Sequence, residues 1–506
     1  MTHIENDKDS ISIITYYTQN ASCKGLNQQK QIFDDFFDLI CSPNFTKLSE
    51  QAQFSAITCI KGLLTNYDSV TLGVSNTDRL EAICCLAGLQ PDNKNQDNLL
   101  TREALKCLAN ILLVAQELRS VFHVLSSAPL ILERLSKVED SYSTDALFLY
   151  SRILFLSTAE PSVFLIKTVL NHDFDKVALK VLSKLENQPS AQGKKEYSIE
   201  LYFTEILKVV FSLLVNFSKS FALQDAEPFS DGDPSNFILE KFRSLFFPLL
   251  RLVSLERKPI PDQIFVNTLP ILVNFPSEDF LNIELSSDMS MLFFCEQLLK
   301  GVLAVVKANE FCMDTESDYE RIIPHIMLLK FISCGSLAIK KVVSDALLPS
   351  KSDRLRPIGE GDSPTARLAA VLKATSFSSF KGALCELFYT LCNNDADTMS
   401  KTFGYGNVAG FLMSKGVSSQ ASDSTSTYYD KGSGEDTNPI TGQLRSAELC
   451  LKPELMTEEE ELHEAERLFV LFERMKRNPA IQISNPVEEA FHAGKFADLK
   501  IEEESD

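Results

Sequence analysis

The sequence is poor in the residues that build metal sites and disulfide frameworks. It has no Trp and only 6 His, and its 12 Cys include no CxxC pair. A structural zinc site needs Cys and His ligands at short spacing, so the pattern predicts neither a metal nor another cofactor. Most of the cysteines lie in apolar helical patterns, where a thiol serves as a small buried hydrophobe. We therefore predict reduced thiols and a cytoplasmic protein.

Segments that would direct the chain to or through a membrane are missing as well. The opening stretch Met1–Ser10 has no apolar core of a secretory signal. No uninterrupted apolar run reaches the roughly 18 residues of a membrane-spanning helix. We therefore expect membrane contact only indirectly, through a partner.

No arrangement of residues predicts covalent chemistry. The sequence shows no Ser/His/Asp order, no cluster of metal ligands and no phosphate-binding loop. Gly404-Tyr-Gly406 lacks the GxxxxGK[ST] pattern and the preceding strand of such a loop, so we expect no direct nucleotide binding and predict a tight turn there. The chain is therefore predicted to be a binding protein and not an enzyme.

Positive charge is scarce. The formal net charge is −20 and the pI is near 4.9, which excludes nucleic acid as a partner because its phosphates would be repelled. The negative charge is unevenly spread, since residues 418–506 hold 20 acidic and 9 basic residues, a net charge of −11. This asymmetry marks the C-terminus as a segment of a different kind.

Apolar residues recur at helical spacing from the beginning of the chain to about residue 400. In Arg102–Leu118, for example, Ala104, Leu108 and Ile111 fall on one face of a helix. Thr101 precedes this segment and is predicted to cap it. Strand-like alternation of polar and apolar residues is not sustained anywhere, so the pattern predicts an all-α fold.

An internal repeat indicates the kind of helical fold. Ala104–Leu112 and Ile206–Leu214 share a Leu-Lys pair and the apolar spacing that follows it, at an offset of 102 residues. That offset suits two or three armadillo or HEAT units of about 40–47 residues each. Many short helices without strands indicate an α-solenoid or an irregular helical bundle, and of these we predict an armadillo/HEAT-like α-solenoid, a superhelix, over residues 1–416.

Composition divides the C-terminal part of the chain into a linker and a tail. Residues 417–456 are rich in Ser and Thr and are predicted to be disordered. The acidic tail, residues 457–506, carries a predicted amphipathic helix at 458–477 that begins with a capping box. Its apolar stripe includes Phe469 and Phe472, which must pack either on the solenoid or on a partner.

Three stretches carry a recognisable pattern. They are Glu103-Ala-Leu-Lys-Cys-Leu-Ala-Asn-Ile; Phe388-Tyr-Thr-Leu-Cys through Phe403-Gly-Tyr-Gly-Asn-Val-Ala-Gly-Phe-Leu; and Asn438-Pro-Ile-Thr-Gly-Gln with the following Glu464-Ala-Glu-Arg-Leu-Phe-Val-Leu-Phe-Glu-Arg and Asn485-Pro-Val. In sequence and order they resemble the synembryn family, the resistance-to-inhibitors-of-cholinesterase proteins that act on heterotrimeric G-protein α subunits. The chain length agrees too, so the resemblance covers nearly the whole chain.

The resemblance implies a guanine nucleotide exchange factor and folding chaperone for the α subunit of heterotrimeric G proteins (Gα). Members of the family are armadillo/HEAT-like superhelices with a mobile C-terminal tail. They bind nucleotide-free Gα with the concave surface and the tail, and they promote GDP release without touching the nucleotide. We accordingly expect a monomer whose partner is a Gα subunit and which reaches the cell cortex and the membrane only through Gα.

The resemblance and the helical pattern together give candidate partner-binding residues. Asn110 matches the asparagine of the family's helix motif, Ser212 replaces that asparagine in the second segment, and Asn216 follows one turn later. Such side chains either bind the backbone of a docked peptide or link neighbouring repeats. Asn274 follows the family's Asn-x-Pro feature or caps a helix end. Arg152, a lone cation in an apolar run, either binds a partner carboxylate or reaches solvent.

A basic cluster in this acidic chain gives a second candidate site. It consists of Lys351, Arg354, Arg356 and Arg367. In the family this region meets a phosphorylated acidic segment of the tail. Thr427 and Ser433 each have an acid at the third following position, as acidophilic kinases prefer. A phosphate on either residue would add charge and dock the tail on the basic cluster.

A general armadillo-type adaptor or scaffold without exchange activity is the alternative function. Importins that carry peptides use a regular ladder of Asn and Trp, and this chain has no Trp. A measurement of GDP release from a Gα subunit separates the two functions.

Overall fold

The computed structural model describes residues 26–66, 77–90, 97–125, 127–136, 143–187, 197–222, 233–255, 260–281, 290–308, 316–374, 378–417, 437–438, 440–448 and 467. The chain divides into two compact units, Met1–Gln443 and Leu444–Asp506.

The described part of the first unit is helical and contains no strand. Its α-helices, in chain order, are α1 (Leu26–Cys41), α2 (Glu50–Asn66), α3 (Thr77–Leu86), α4 (Leu99–Val114), α5 (Glu117–Val124), α6 (Ser127–Ser136), α7 (Thr144–Thr158), α8 (Val163–Asn171), α9 (Phe174–Asn187), α10 (Ile199–Ala222), α11 (Pro234–Phe242), α12 (Phe246–Ser254), α13 (Asp262–Val273), α14 (Met291–Ala308), α15 (Glu316–Arg321), α16 (Ile323–Gly335), α17 (Leu337–Leu347), α18 (Pro364–Lys373), α19 (Ser378–Leu391), α20 (Ala396–Phe403) and α21 (Tyr405–Ser414).

Within the described residues, seven of these helices form one continuous row. Each packs on the next in the order α2, α4, α7, α10, α13, α16 and α19. A second layer covers one side of the row, with α1, α3, α9, α12 and α14 each packed on a row helix. Stacked helices in two layers are the architecture of an α-solenoid, so the predicted all-α solenoid fold is confirmed.

The central helix of the row, α10, shows why the layers hold together. Its apolar residues lie all round the helix, and Tyr202, Phe203 and Phe217 are fully buried against both neighbours and the second layer. By length and composition α10 could cross a membrane, but 72% of its most apolar window is buried inside the fold. A helix that is apolar on most sides belongs in the core of a large helical protein.

Phenylalanine fills the spaces between helices farther along the chain. Phe246 packs against Phe275 and Phe280 at ring-centroid distances of 5.3 and 5.0 Å, and Phe280 reaches Phe331 on α16 at 5.6 Å. These tilted and edge-on contacts join α12, the turn after α13, and α16. Large flat side chains gain both buried area and favourable ring geometry in such positions.

The predicted helix Arg102–Leu118 is placed correctly, but its ends differ. The helix α4 begins after Asn98, whose side chain accepts a hydrogen bond from the Thr101 backbone N–H at 2.8 Å. Thr101 is therefore not the cap; its hydroxyl is the reciprocal partner, which accepts from the Asn98 N–H at 3.0 Å. The chain leaves the helix at Ala115 and starts α5 at Glu117. Either Asn or Thr can cap a helix, so the sequence alone did not decide between them.

The second unit contains two described pieces. Arg445–Ala447 is a short 3-10 helix, and Arg467 is helical and exposed. The rest of the predicted tail helix at 458–477, including Phe469 and Phe472, lies outside the described residues. The domain boundaries at 416 and 456 therefore stay predictions.

The predicted linker 417–456 is described at Val417, Thr437, Asn438 and 440–448. At its far end the chain forms an ordered turn: the Asn438 N–H donates to the Gln443 carbonyl at 2.7 Å, and the Gly442 N–H donates to the Asn438 carbonyl at 2.8 Å. This piece of the predicted disordered linker is folded, because its backbone groups find partners within the turn.

Candidate protein-docking face

The side of the row that the second layer leaves uncovered is the candidate site, and we call it the row face. It is formed by half-exposed or exposed residues that recur every three or four positions while their helical neighbours are buried. They are Thr58, Lys61 and Gly62 on α2; Lys106, Asn110 and Leu113 on α4; Phe148, Arg152 and Phe155 on α7; Lys208, Phe211 and Val215 on α10; Val266, Pro270 and Asn274 at α13; Met327, Lys330 and Cys334 on α16; and Gly382, Glu386 and Tyr389 on α19.

On the row face, two lysines pair with the buried carboxylate of Glu103. The Lys61 ammonium of α2 pairs with Glu103 Oε1, the Thr58 hydroxyl donates to the same oxygen at 3.2 Å, and Lys106 lies 3.5 Å from Oε2. The Glu103 side chain is almost fully buried, whereas both lysines reach the surface. A carboxylate removed from water needs such partners, since an unpaired buried charge is very unfavourable.

The same arrangement recurs at Glu205 on α10. Glu205 Oε1 accepts from Arg152 Nη1 of α7 at 3.2 Å and from Lys208 Nζ at 2.7 Å. The carboxylate side chain is 6% exposed, while the arginine and lysine are 31% and 28% exposed. Two cations share one carboxylate, so this part of a strongly acidic chain carries excess positive charge at its surface.

An aromatic ring lies beside both cations of the Glu205 cluster. The Phe155 ring centroid is 6.0 Å from the Arg152 guanidinium carbon and 5.9 Å from Lys208 Nζ. The ring is half-exposed, and Phe211 on α10 is exposed on the same face. Cationic and aromatic groups side by side can bind a ligand that carries both a carboxylate and an apolar surface.

The predicted residue Arg152 is therefore on the row face, and sequence reasoning missed its two partners. The signal was present, because Glu103-Ala-Leu-Lys and Glu205-Ile-Leu-Lys have the same spacing at the same 102-residue offset. The repeat was recognised by its Leu-Lys pair without the glutamate. A glutamate three positions before a lysine is common on any helix, so the pattern alone does not indicate burial.

Asn110 and Ser212 occupy equivalent positions of the repeat but differ in their contacts. Asn110 is half-exposed on α4, and its side chain has no hydrogen-bond partner within the described chain. Ser212 is buried, and its hydroxyl donates to the Thr158 carbonyl at the end of α7. Asn110 thus keeps its amide available on the row face, whereas Ser212 joins two row helices.

The other two predicted amides also bind inside the fold. Asn216 Nδ2 donates to the carbonyls of Thr158 and Ala159 at 3.2 and 3.1 Å, so it satisfies the open end of α7. Asn274 follows the last residue of α13, and its Nδ2 donates to the Pro270 carbonyl at 2.7 Å. Both fit the structural alternatives of linking repeats and capping a helix. Their contact with a partner stays a prediction.

The residues of the predicted basic cluster lie on two elements. Lys351, Arg354 and Arg356 share the loop before α18, where Arg354 donates to the Lys401 carbonyl at 3.2 Å. Arg367 instead lies on α18 and donates to the Val306 carbonyl at the end of α14 at 3.3 Å. Phosphate docking thus has a structural candidate in the three loop residues. The predicted phosphorylation sites Thr427 and Ser433 lie outside the described residues.

The ordered turn at Asn438–Gln443 is fixed beside this basic loop. The Ile358 N–H donates to the Thr441 carbonyl at 3.1 Å, and the Gln443 amide donates to the Leu355 carbonyl at 3.0 Å. The Gly406 N–H donates to the Ile440 carbonyl at 3.1 Å. The second and third stretches of the sequence resemblance therefore bind each other.

Glycine at position 404 permits this contact. Gly404 has a φ of +81°, and a Cβ there would collide with the Ile440 carbonyl and with Thr441. Both the backbone conformation and the close approach favour a residue without a side chain. The turn predicted at Gly404-Tyr-Gly406 is thus also the receiving site for the Asn438–Gln443 turn.

The row of helices and the second layer packed on it define the class of the protein, an all-α solenoid. The chain belongs to the Ric8 family, because the family model described as guanine nucleotide exchange factor synembryn matches residues 46–495.

The individual relatives have low sequence identity to this chain, but they align with it over most of its length. The chain is 24% identical over 410 residues to a synembryn-like chaperone of Schizosaccharomyces pombe, covering 75% of this chain and 70% of the relative. It is 26% identical over 453 residues to chaperone Ric-8A of Macaca fascicularis, covering 80% of this chain and 77% of that protein. With chaperone Ric-8A of Bos taurus the identity is 25%, with the same two coverages. An engineered protein of known structure aligns with a TM-score of 0.39 at 13% identity, which is too low to inform the fold.

Proposed function

We propose that this chain is a folding chaperone and guanine nucleotide exchange factor for heterotrimeric G-protein α subunits. It binds nucleotide-free Gα with the row face and the C-terminal tail, and it carries out no covalent chemistry of its own. Family membership over residues 46–495 supports the class of client. The observation that carries the proposal is the Glu205 cluster, where the half-exposed side chains of Arg152 and Lys208 bind one buried carboxylate beside Phe155.

The client element proposed for the row face is the C-terminal helix of Gα. An amphipathic helix places apolar residues and carboxylates on one side, and these match Phe155 and Phe211 beside the two cations. Asn110, with its amide unpaired within the described chain, supplies a hydrogen bond to the docked backbone. Neutralising a ligand carboxylate at Arg152 uses the bidentate geometry that arginine offers.

GDP release follows from selective binding and needs no contact with the nucleotide. If the chain binds the open, nucleotide-free state of Gα more tightly than the GDP state, it shifts the population toward release. GTP then closes Gα and weakens the complex. The protein is accordingly expected to act as a cytoplasmic monomer that approaches the membrane only through its client.

The tail is proposed to hold the client with Phe469 and Phe472. The chain leaves the first unit at Gln443, next to the loop that carries Lys351, Arg354 and Arg356. Phosphate on Thr427 or Ser433 would bind that loop and restrict the path of the linker. Mass spectrometry of protein from its native host, showing both residues unmodified, would remove the phosphate from the proposal.

The experiment is a GDP-release assay on purified Gα·GDP with the full chain and with a version lacking residues 418–506. We expect acceleration by the full chain and a smaller effect without the tail. Arg152→Gln and Lys208→Gln should each weaken client binding about five- to tenfold, since each removes one half-exposed charge contact. Lys176→Gln on α9 is the matched control, because Lys176 forms an exposed ion pair away from the row.

No acceleration of GDP release and no stable complex with nucleotide-free Gα would leave the chain as an armadillo-type adaptor without exchange activity.

A further inference from the structure

A third carboxylate with two cations lies near the opposite end of the row face. Glu386 on α19 accepts from Lys330 Nζ of α16 at 3.0 Å through Oε2, and its Oε1 lies 2.7 Å from Lys415 Nζ, just after α21. Burial raises the pKa of Glu386, but the hydrogen bonds from Lys415 and Lys330 outweigh it and hold the pKa below its usual range. As at Glu205, one carboxylate serves two cations, so one positive charge is in excess.

An aromatic pair accompanies these charges, as Phe155 does at Glu205. Lys415 Nζ lies 5.4 Å from the Tyr389 ring centroid and 5.6 Å from that of Phe411. The two rings meet edge to face at 5.9 Å, and both are half-exposed. The second cluster thus resembles the first, with the Lys415 ammonium above a partly exposed aromatic surface.

Glycine at position 382 adds a separate observation. Gly382 lies one turn before Glu386 on the exposed side of α19, and a Cβ there would meet nothing within 4 Å. Glycine weakens a helix relative to alanine, and a Cβ added at Gly62 on α2, elsewhere on the row face, would also meet nothing within 4 Å. Nothing in the described fold collides at this position. The missing side chain therefore leaves space for a molecule that approaches α19 from outside.

We infer that Lys330 and Tyr389 of the row face, together with Phe411 and Lys415 from α21 and its end, form a second docking site for a carboxylate-bearing helical segment of the client, with Gly382 beside them. The inference rests on the proposed function for the identity of the client. The ligand carboxylate binds between the two lysines, its apolar side lies on the aromatic pair, and its backbone passes over Gly382.

The two clusters are spaced to act together on one client. Glu205 on α10 and Glu386 on α19 are three helix steps apart, roughly 24–30 Å at the usual spacing of packed helices. A segment that occupies one cluster raises the effective concentration of the second segment at the other. The client is then held at two points of the row, which resists rotation about either one.

The first test measures binding of the full chain to nucleotide-free Gα by biolayer interferometry at 50 and 300 mM NaCl. Lys330→Gln and Lys415→Gln should each weaken the complex about fivefold and reduce its salt dependence. Lys176→Gln should change neither quantity. Gly382→Ala should weaken the complex while raising the melting temperature on the order of a degree, a combination that a merely structural glycine would not produce.

Glu386→Gln provides a gain-of-function arm. Removing the internal carboxylate frees both lysines for the ligand, so client binding should tighten several-fold even if the protein melts slightly earlier. A merely structural ion pair would lower the melting temperature and leave client affinity unchanged or weaker. Unchanged affinity for all four variants would overturn the second site and leave the proposed function standing.

A peptide probe separates the failure of this inference from failure of the proposed function. The probe is a synthetic amphipathic helix with two Glu one turn apart, compared with its Glu→Gln version by fluorescence anisotropy. Weaker binding of the Glu peptide to Lys330→Gln and Lys415→Gln, but not to Lys176→Gln, supports the site even if no Gα binds. Equal binding by all three variants and the natural chain overturns it.

Discussion

The first part of the row and its middle are held together by different interactions. Between α4, α7 and α10, ion pairs supplement the apolar packing: Arg102 pairs with Asp145 at 3.2 Å, and Arg152 pairs with Glu205 at the same distance. Among the described residues no ion pair joins α10 to α13 or α13 to α16, and apolar side chains fill those contacts. One buried titratable ring, His325, lies in this middle region.

The difference shows which part of the row is stabilised by ion pairs and which part by the packing of apolar side chains alone. In the first part, buried carboxylates need their cations, and four of those cations lie on the row face: Lys61, Lys106, Arg152 and Lys208. In the middle, the His325 ring lies so close to Gly301 of α14 that a Cβ there would be 2.7 Å from it. The first part should therefore respond to salt, and the middle to packing and to acid.

The largest effect is expected from a cavity in the middle of the row. Leu269→Ala on α13 removes a fully buried side chain and should lower the free energy of unfolding by about 3 kcal/mol. Because the contact is apolar, the loss should be the same at low and high salt. Val266→Ala on the exposed side of the same helix should cost less than about 0.5 kcal/mol. Urea denaturation at two salt concentrations measures both. A strong salt dependence of the Leu269→Ala loss would contradict the apolar description.

Acid should destabilise the middle through His325. Burial lowers the pKa of this ring from its ordinary 6.5 to about 4, and its Nδ1 has no hydrogen-bond partner. The unfolded chain takes up a proton at higher pH than the folded chain does. The contribution of His325 to the free energy of unfolding is therefore fully present above pH 6.5. It is lost as the pH drops toward 4, by at most about 3 kcal/mol.

His325→Phe should remove that part of the acid sensitivity while keeping a flat ring beside Gly301 and Phe265. The measurement is the free energy of unfolding from pH 7 to pH 4 for both proteins. His123 and His172 also have lowered pKa values because of burial, so the natural chain and the variant keep a shared residual slope. Identical slopes in the two proteins would contradict the assignment to His325.

A smaller, salt-dependent loss is expected in the first part of the row. Asp145 accepts from Arg102 and also from the Tyr197 backbone N–H at 2.9 Å, so it joins the starts of α4, α7 and α10. Asp145→Asn removes the charge and should cost about 2 kcal/mol. The gap between variant and natural chain should narrow in 1 M NaCl, measured by urea denaturation. A salt-independent gap would contradict a charge-based role.

The smallest stability effect sharpens the comparison of the two repeat positions. Asn110→Ala should change stability by less than about 0.5 kcal/mol yet weaken client binding about fivefold. Ser212→Ala should cost about 1 kcal/mol, because the Thr158 carbonyl loses a donor, and should leave client binding unchanged. Thermal unfolding and interferometry on both variants are the measurements. A loss of client binding in Ser212→Ala, with no loss in Asn110→Ala, would contradict the assignment of client contact to the exposed residue.

Sequence periodicity was sufficient for the all-α class of the fold, because helices bury one side at a 3.6-residue period. The choice of a solenoid over an irregular helical bundle depended on the family resemblance. The 102-residue repeat also relates α4 and α10, which both lie in the row, while the partner-binding role of Arg152 stays a prediction. The sequence did not show which helices pack in one row, since that depends on contacts such as α7 with α10 between residues more than 50 positions apart.

The candidate site was only partly predictable for the same reason. Lys208 and Phe155 become neighbours of Arg152 only through the packing of α7 on α10. Burial also separated residues that look alike in sequence: Asn110 faces outward, whereas Asn216 binds the end of α7. Arg367 looks like part of the basic loop, but its helix directs it to the Val306 carbonyl. A local pattern states which side chain is present, and tertiary contacts decide what it binds.

Photo-crosslinking tests the row face as the client surface most directly. The photoreactive residue p-benzoylphenylalanine replaces Phe211 on α10 or, as control, Phe247 on α12; these side chains are 37% and 42% exposed but lie in different layers. Each full-length variant is mixed with nucleotide-free Gα and irradiated. Crosslinking from position 211, mapped to the C-terminal helix of Gα, together with none from position 247, is the result we predict. Equal crosslinking from both positions, or from 247 alone, would contradict the row face as the docking surface.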